Sequence, residues 1–578
     1  MTLDKVTAEV VKHSLIYISE EMGVALRKSA YSPNIRERAD CSCAILDSKG
    51  RTIGQAEHIP VHIGSLSLGL RNTLQYLEKE GVELISGDMF IVNDPYISGT
   101  HLNDLTVIRP VFSRNEIIAY VANKAHHVDI GGIAPGSINS QATELIQEGI
   151  LLPPVKLMDQ DKLRNDVVQI LTSNTRVPEV TLGDLRAQMA ANVLAEKRLL
   201  ELVSKIGIMT FCDCCEFTLD QTNKLVVTEY AKMPKGSWKG QDCLELDDRL
   251  ILIRAKVTMT GERVEVDFAG TDQQVRAPLN AVLGVTTAAV TFAVKTVLPA
   301  DLPSNDGFNS TIGVTAPKGT IVNPVKPAPV AGGNLETSQR IVDTIYRALA
   351  GAIPDRIPAA SHGSMNNLMM GGVHPQTGKS WAFYETIGGG SGGRPGADGV
   401  DGVHVNMTNT LNTPIEVMEH YYPVRFEAYR LRDGSGGPGQ WRGGMGIERI
   451  FTARTRIQVG ILADRSRVRP WALKGGLPGA PSEYLVRHSN GKVVRLKSKD
   501  TLFLNRGDTL IVRTAGGGGY GDPHKRTPLL VKEDLQNRCV TEQQTETIYK
   551  HARTIMAGPA SCKKIVKRTK RIARTGHH

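Results

Sequence analysis

The chain has 578 residues, a formal net charge of +10, 41% apolar residues before its 57 glycines are added, and 22% charged residues. That composition can fill several hydrophobic cores and excludes collagen-like, mucin-like, coiled-coil and disordered chains. The charge is concentrated at the end: from His551 onward there are eight Lys and Arg and no acid, leaving +2 for the 550 residues before, so no basic face across the body favours nucleic acid as a partner.

Asp4 is placed to cap a helix whose apolar positions Val6, Val10, Ile18, Met22 and Leu26 fall mostly four apart, and Pro33 prevents its extension past Tyr31. The start, Met1-Thr2-Leu3-Asp4-Lys5, lacks the cationic and apolar regions of a secretory signal, so a cytoplasmic protein with reduced cysteines is expected. β-like runs at 43–46 and 89–92 end in turn residues, and a helix is expected between them over 64–80. A pair of β-like runs, 105–112 and 116–123, flanks Ser113-Arg114-Asn115 as a hairpin, and 184–206 is helical in composition. Alternation returns at 251–257 and 264–268, which places a domain boundary near 230. The uncharged stretch 277–294 carries Pro278, Asn280 and three threonines, so it predicts a buried helix and not a bilayer span. A further helix is expected over 335–351, and glycine clusters at 388–393, 434–446 and 516–521 separate β-like segments such as 457–462 and 509–513. The expected architecture is α+β and multi-domain, with mixed sheets and helices and a β-rich, glycine-rich last third. Its divisions are an N-terminal α+β domain (1–230), a central α/β domain (231–410), a β-rich domain (411–525), and a C-terminal helix with a basic, solvated or subunit-docking tail (526–578).

The residues that bear chemistry gather between Asn93 and Gly132, in Gly99-Thr100-His101-Leu102-Asn103-Asp104 and Ala125-His126-His127-Val128-Asp129. If Arg114 and Asn115 form a two-residue loop, residue i faces residue 229−i, so Asn103 lies opposite His126 and Asp104 opposite Ala125. The hairpin then brings His101, Asp104 and His126 into one neighbourhood. Two imidazoles and a carboxylate suit Zn²⁺, Mn²⁺ or Fe²⁺, and three protein ligands leave room for water or substrate. Strict alternation would turn Asp104 away from His126, so the cluster requires 101–104 to be an irregular loop, which Gly99 permits. The alternative is a hydrogen-bonded histidine pair among capping residues.

Other motifs carry less. Pro60 argues against a helical pair in His58-Ile59-Pro60-Val61-His62, which reads as structural. Cys212 and Cys215 have metal-clip spacing with no second pair to complete it. Val373 stands where a P-loop ending in Gly378-Lys379-Ser380 needs glycine, and Arg394-Pro395-Gly396 follows Gly389-Gly390-Ser391-Gly392-Gly393 where a nucleophile elbow needs a helix.

Taken together, the segments Ala30–Arg38, His58–Ser65, Asn93–Asp104, Ala125–Gly132, Gln147-Glu148-Gly149, Asn334–Arg340, Met365-Asn366-Asn367, Asn412–Glu416 and Gly516–Pro523 resemble the hydantoinase B/oxoprolinase family, from about Asp4 to Tyr549. The resemblance implies the B-type subunit of an ATP-dependent cyclic amide hydrolase of the hydantoin or 5-oxoproline type. An A-type ATPase partner of the hydantoinase A/oxoprolinase family would use ATP to phosphorylate the substrate carbonyl, with room for a small third subunit, and this chain would open the ring. The resemblance maps a divalent metal onto His101, Asp104 and His126, and His127 or Asp129 would accept a proton. A subunit of an ATP-dependent ketone carboxylase, of the acetone or acetophenone type, is the alternative within the family, and a non-catalytic scaffold the alternative outside catalysis.

Overall fold

Asp4 caps the first helix, Lys5–Ser29, its carboxylate accepting from the amides of Val6 and Thr7 at 3.2 and 3.1 Å. The computed structural model describes residues 4–552 apart from Glu57, and the basic tail lies outside the described residues from 553 on. The buried stripe of that helix is Ala8, Val11, Leu15, Ile18, Met22 and Leu26, while Val6 and Val10 face solvent. The helix bears two apolar stripes, and the one that meets other apolar surface is buried.

This helix, with Pro178–Ile206 and Ile208–Tyr230, covers one face of a seven-stranded antiparallel sheet. Its strands are β1 (Cys41–Asp47), β2 (Thr52–Ala56), β3 (Met89–Val92), β4 (Asp104–Ser113), β5 (Glu116–His126), β6 (Val155–Asp159) and β7 (Lys162–Leu163), in the order β2-β1-β5-β4-β3-β6-β7. Helix Ser65–Lys79 covers the other face with Leu66 and Leu70.

The β4–β5 turn is the two-residue loop expected, with Arg114 at φ 51° and Asn115 at φ 67°. The 229−i register holds only for Ser113–Glu116 and Phe112–Ile117; the next pair is Val111–Ala119, and the ladder then runs to Asp104–His126. A β-bulge at Ile118 inserts one residue into β5, so Asp104 and not Asn103 lies opposite His126.

Downstream, one four-stranded sheet uses residues 236–315, and two further sheets of four and five strands pack together between 367 and 513. The mixture of helices with several sheets is the α+β architecture expected. The helix predicted over 277–294 begins only at Leu283. Pro278 has no amide to donate, and Asn280 spends its side chain on Val275, Ala277 and Pro329 backbone groups, holding 275–282 as a loop. Among the described residues no helix is long and apolar enough to cross a membrane, and the seven cysteines are free.

The glycine clusters lie side by side, backbone against backbone: Gly444 donates to Ser391 O at 2.8 Å, Gly517 to Gly444 O at 3.0 Å and Gly393 to Gly518 O at 2.9 Å. A Cβ on Gly517 would sit 1.9 Å from Ser391 O, and one on Gly444 2.0 Å from Val400 O. Because those neighbours are main chain and cannot swing aside, Gly517→Ala is expected to cost about 3 kcal/mol, read as a lowered urea midpoint. An unchanged midpoint would show that the segments can separate freely.

Candidate metal centre

Residues directly opposite on adjacent antiparallel strands project to the same face, so the bulge places Asp104 and His126 side by side without any irregularity in β4. His101 precedes β4 by three residues, after the helical turn Pro95–Ser98 that Gly99 ends at φ 81°. Its Nε2 lies 3.1 Å from Asp104 Oδ1 and 3.1 Å from His126 Nδ1, and His126 Nδ1 lies 3.3 Å from Asp104 Oδ1. Among the described residues this is the one His, Cys, Asp and Glu group with metal-holding geometry.

The fit to a cation is close. Tetrahedral ligation at about 2.0–2.1 Å separates donor atoms by about 3.3 Å, near all three observed edges. The three residues are fully buried, so no bulk water satisfies their lone pairs. His101 Nδ1 faces the carbonyl of Ala331 at 3.3 Å, which assigns its proton there and leaves the Nε2 lone pair directed at Asp104 and His126. Burial alone would lower the His101 pKa, but the adjacent Asp104 carboxylate outweighs it and the pKa is raised. Burial would raise Asp104, yet His101 chiefly holds it well below the usual carboxylate range, and burial lowers His126. A positive charge, proton or metal ion, belongs between them.

Outer partners fix the carboxylate. Asp104 Oδ2 faces His62 Nε2 at 3.4 Å and accepts from Asn334 Nδ2 at 3.5 Å, and His62 Nδ1 meets Ser42 Oγ at 2.9 Å. Asn334 belongs to a π-helical turn, Gly333–Thr337, a distortion common at functional sites. The Tyr384 ring stacks on His126 at 4.5 Å and 19°. Asp40, His62, Asp104, His126, Asn334 and Tyr384 help line a cavity of about 20 Å³, enough for one ion or one water.

The structure does not bring His127 and Asp129 to this cavity. Successive strand residues project oppositely, so His126 meets His101 while His127 Nε2 meets Gln188 Oε1 at 2.9 Å on the far side of the sheet. Asp129 spends both oxygens on its own loop and on Arg176, accepting from the amides of Gly131, Gly136 and Arg176 and from Arg176 Nη1, each at 3.0 Å. His62, Asn334 and Tyr384 carry no sequence mark that ties them to Asp104. Cys212 and Cys215 lie within helix Ile208–Tyr230, and Ser391 Oγ accepts from Val400 N at 2.7 Å.

A family model described as hydantoinase B/oxoprolinase matches residues 4–523. An uncharacterised protein of Methanocaldococcus jannaschii is 50% identical over 548 residues, covering 95% of this chain and 96% of that one. The 5-oxoprolinase of Saccharomyces cerevisiae is 34% identical over 550 residues, covering 90% of this chain, which spans 42% of that protein's length. Among solved structures, the ATP-dependent caprolactamase of Pseudomonas jessenii aligns with a TM-score of 0.89 at 28% identity, covering 95% of this chain and 96% of that one. An acetone carboxylase structure aligns at 0.88 with 18% identity, covering 99% of this chain and 84% of that one, a likeness of fold.

Proposed function

The chain belongs to the hydantoinase B/oxoprolinase family, and from that premise we propose that it is the B-type subunit of an ATP-dependent cyclic amide hydrolase, opening a ring whose carbonyl an A-type partner has phosphorylated. The observation that carries this reading is the buried triangle of His101 Nε2, Asp104 Oδ1 and His126 Nδ1 beside a water-sized cavity. The likeness to a caprolactamase and a 5-oxoprolinase favours hydrolysis of a lactam or imide over carboxylation.

His101, Asp104 and His126 would hold the divalent ion, Zn²⁺, Mn²⁺ or Fe²⁺, which when bound supplies Lewis acidity and a lowered pKa for water in the open position. The chain's own residues do the rest. Asp104 divides its oxygens between the two ligand imidazoles and the His62–Asn334 pair, which fixes the carboxylate plane. The Tyr384 ring prevents His126 from turning, and its hydroxyl donates to Asn367 Oδ1 at 2.9 Å. Of the titratable groups facing the cavity, Asp40, which lies 3.8 Å from Arg38, is placed to accept a proton, a role that His127 and Asp129 cannot reach from where they lie. Catalysis in the cytoplasm as a hetero-oligomer with the ATPase completes the proposal.

Metal analysis tests it. Near-stoichiometric divalent metal is expected in the purified untagged protein and is expected to be lost in His101→Ala and His126→Ala. Chelation should abolish ATP-coupled ring opening with the partner, and the metal should restore it. Metal-free protein that turns over fully with its partner would refute the mechanism and leave a scaffolding subunit.

A further inference from the structure

We infer that Glu148 is a positioning residue for the metal centre, fixing through the backbone at 330–331 which nitrogen of His101 carries the proton; the inference rests on the metal reading proposed above. Glu148 is fully buried, and its oxygens are divided one to each of two successive amides, Oε2 accepting from Val330 at 3.0 Å and Oε1 from Ala331 at 2.9 Å. Its turn, Leu145–Glu148, is docked on the same segment by the Leu145 amide, which donates to Pro327 O at 2.9 Å. The next polar atom along is the Ala331 carbonyl, the group that faces His101 Nδ1 at 3.3 Å.

The order of contacts is carboxylate, paired amides, carbonyl, imidazole. A carbonyl can only accept, so His101 Nδ1 carries a proton, which leaves Nε2, aimed at Asp104 and His126, as the nitrogen that would give its lone pair to an ion. At 3.3 Å that contact is long and would be lost if the 330–331 backbone rotated. Holding two consecutive amides at once is what a bidentate carboxylate does and a neutral amide side chain cannot, because its NH₂ end would meet one of the two backbone N–H groups donor to donor. Glu148 makes no hydrogen bond to His101, Asp104 or His126 themselves, its oxygens being taken by the Val330 and Ala331 amides, so its effect reaches His101 through that backbone.

Co²⁺ titration of the full chain, by competition with a chelator of known affinity and by the visible spectrum, tests the inference alongside urea unfolding. Glu148→Gln is expected to bind Co²⁺ about 10- to 100-fold more weakly and with an altered spectrum. Glu148→Asp, which keeps the charge but withdraws the oxygens, is expected to weaken binding as well and carries the test if the Gln variant does not fold. In the unsubstituted protein, long-range ¹H–¹⁵N spectra should show His101 protonated at Nδ1, and a proton at Nε2 alone would overturn the inference without any variant. A lowered urea midpoint with wild-type Co²⁺ affinity would reduce Glu148 to a fold staple and leave the metal reading standing. Wild-type protein that binds no Co²⁺ would overturn both together.

Discussion

Asp104→Asn, assayed with the A-type partner, is expected to lose ATP-coupled ring opening by about 10³-fold while the partner's own ATP turnover continues. The size follows from how much converges on one carboxylate. Oδ1 faces both imidazoles of the triangle, at 3.1 and 3.3 Å, and Oδ2 faces His62 and Asn334. Asparagine removes the negative charge that raises the His101 pKa against burial, so the pocket no longer favours a cation. Its NH₂ would either meet the Asn334 amide donor to donor or hydrogen-bond to, and so occupy, the imidazole lone pairs that would hold the ion. Loss of a Lewis acid worth about 4 kcal/mol in the transition state corresponds to about three decades in rate. Metal content and single-turnover hydrolysis of the phosphorylated substrate should fall together. Turnover within a few-fold of wild type in a metal-free Asp104→Asn protein would show that the triangle is structural.

What could be read from the residues, and what could not, divides along locality. Asp4 at the first helix and the positive-φ Arg114-Asn115 turn were readable because each depends on neighbours within four residues. The three ligand candidates were readable by chemistry and spacing, but their register was displaced by one residue, since Phe112, Ile117 and Ile118 offer no glycine to betray the bulge. The irregular 101–104 loop is present as a turn closed by the Asp104 amide on the His101 carbonyl at 3.2 Å, but it brings His101 round, whereas the bulge in β5 is what sets Asp104 opposite His126. His127 illustrates a constraint that was available in the alternation of β5 itself, for a strand that turns His126 to one face turns His127 to the other. His62, Asn334 and Tyr384 reach the site from separate segments, with Asn334 230 residues beyond Asp104, and no local pattern encodes such a meeting. Val6 and Val10 show the converse, an apolar periodicity that is real but faces water, because periodicity gives the stripe and not what packs on it.

Away from the site, the largest loss of stability is expected from Arg340→Ala. Arg340 is completely buried where strand Gly236–Leu246, helix Ser338–Leu349 and the segment after strand Ile457–Leu462 meet, and it pairs with Asp343 at 3.1 Å, Asp464 at 2.9 Å and Asp242 at 3.5 Å. Arg465 pairs with Asp343 and Asp242 at 2.6 and 3.1 Å, Lys499 with Asp464 at 3.5 Å, and Trp471 Nε1 donates to Asp242 at 3.2 Å. Three carboxylates are thus balanced by three cations, and removing one cation strands a buried negative charge, at a cost of about 3–5 kcal/mol. Arg430→Ala, which breaks a pair with Glu448 from a largely exposed position, is expected to cost no more than about 1 kcal/mol in the same urea experiment. The deficit of Arg340→Ala should also depend on pH. Burial already pushes Asp343 up to about 7 against the pull of Arg340, and loss of that guanidinium raises it further, so its contribution is fully favourable below the unfolded pKa and is lost as pH rises through the folded one. The gap between variant and wild type is therefore expected to narrow on acidification from about pH 8 to pH 5. A small, pH-independent difference would mean that water reaches the cluster and screens it, and that the strand, the helix and the segment after Leu462 are held by apolar packing alone.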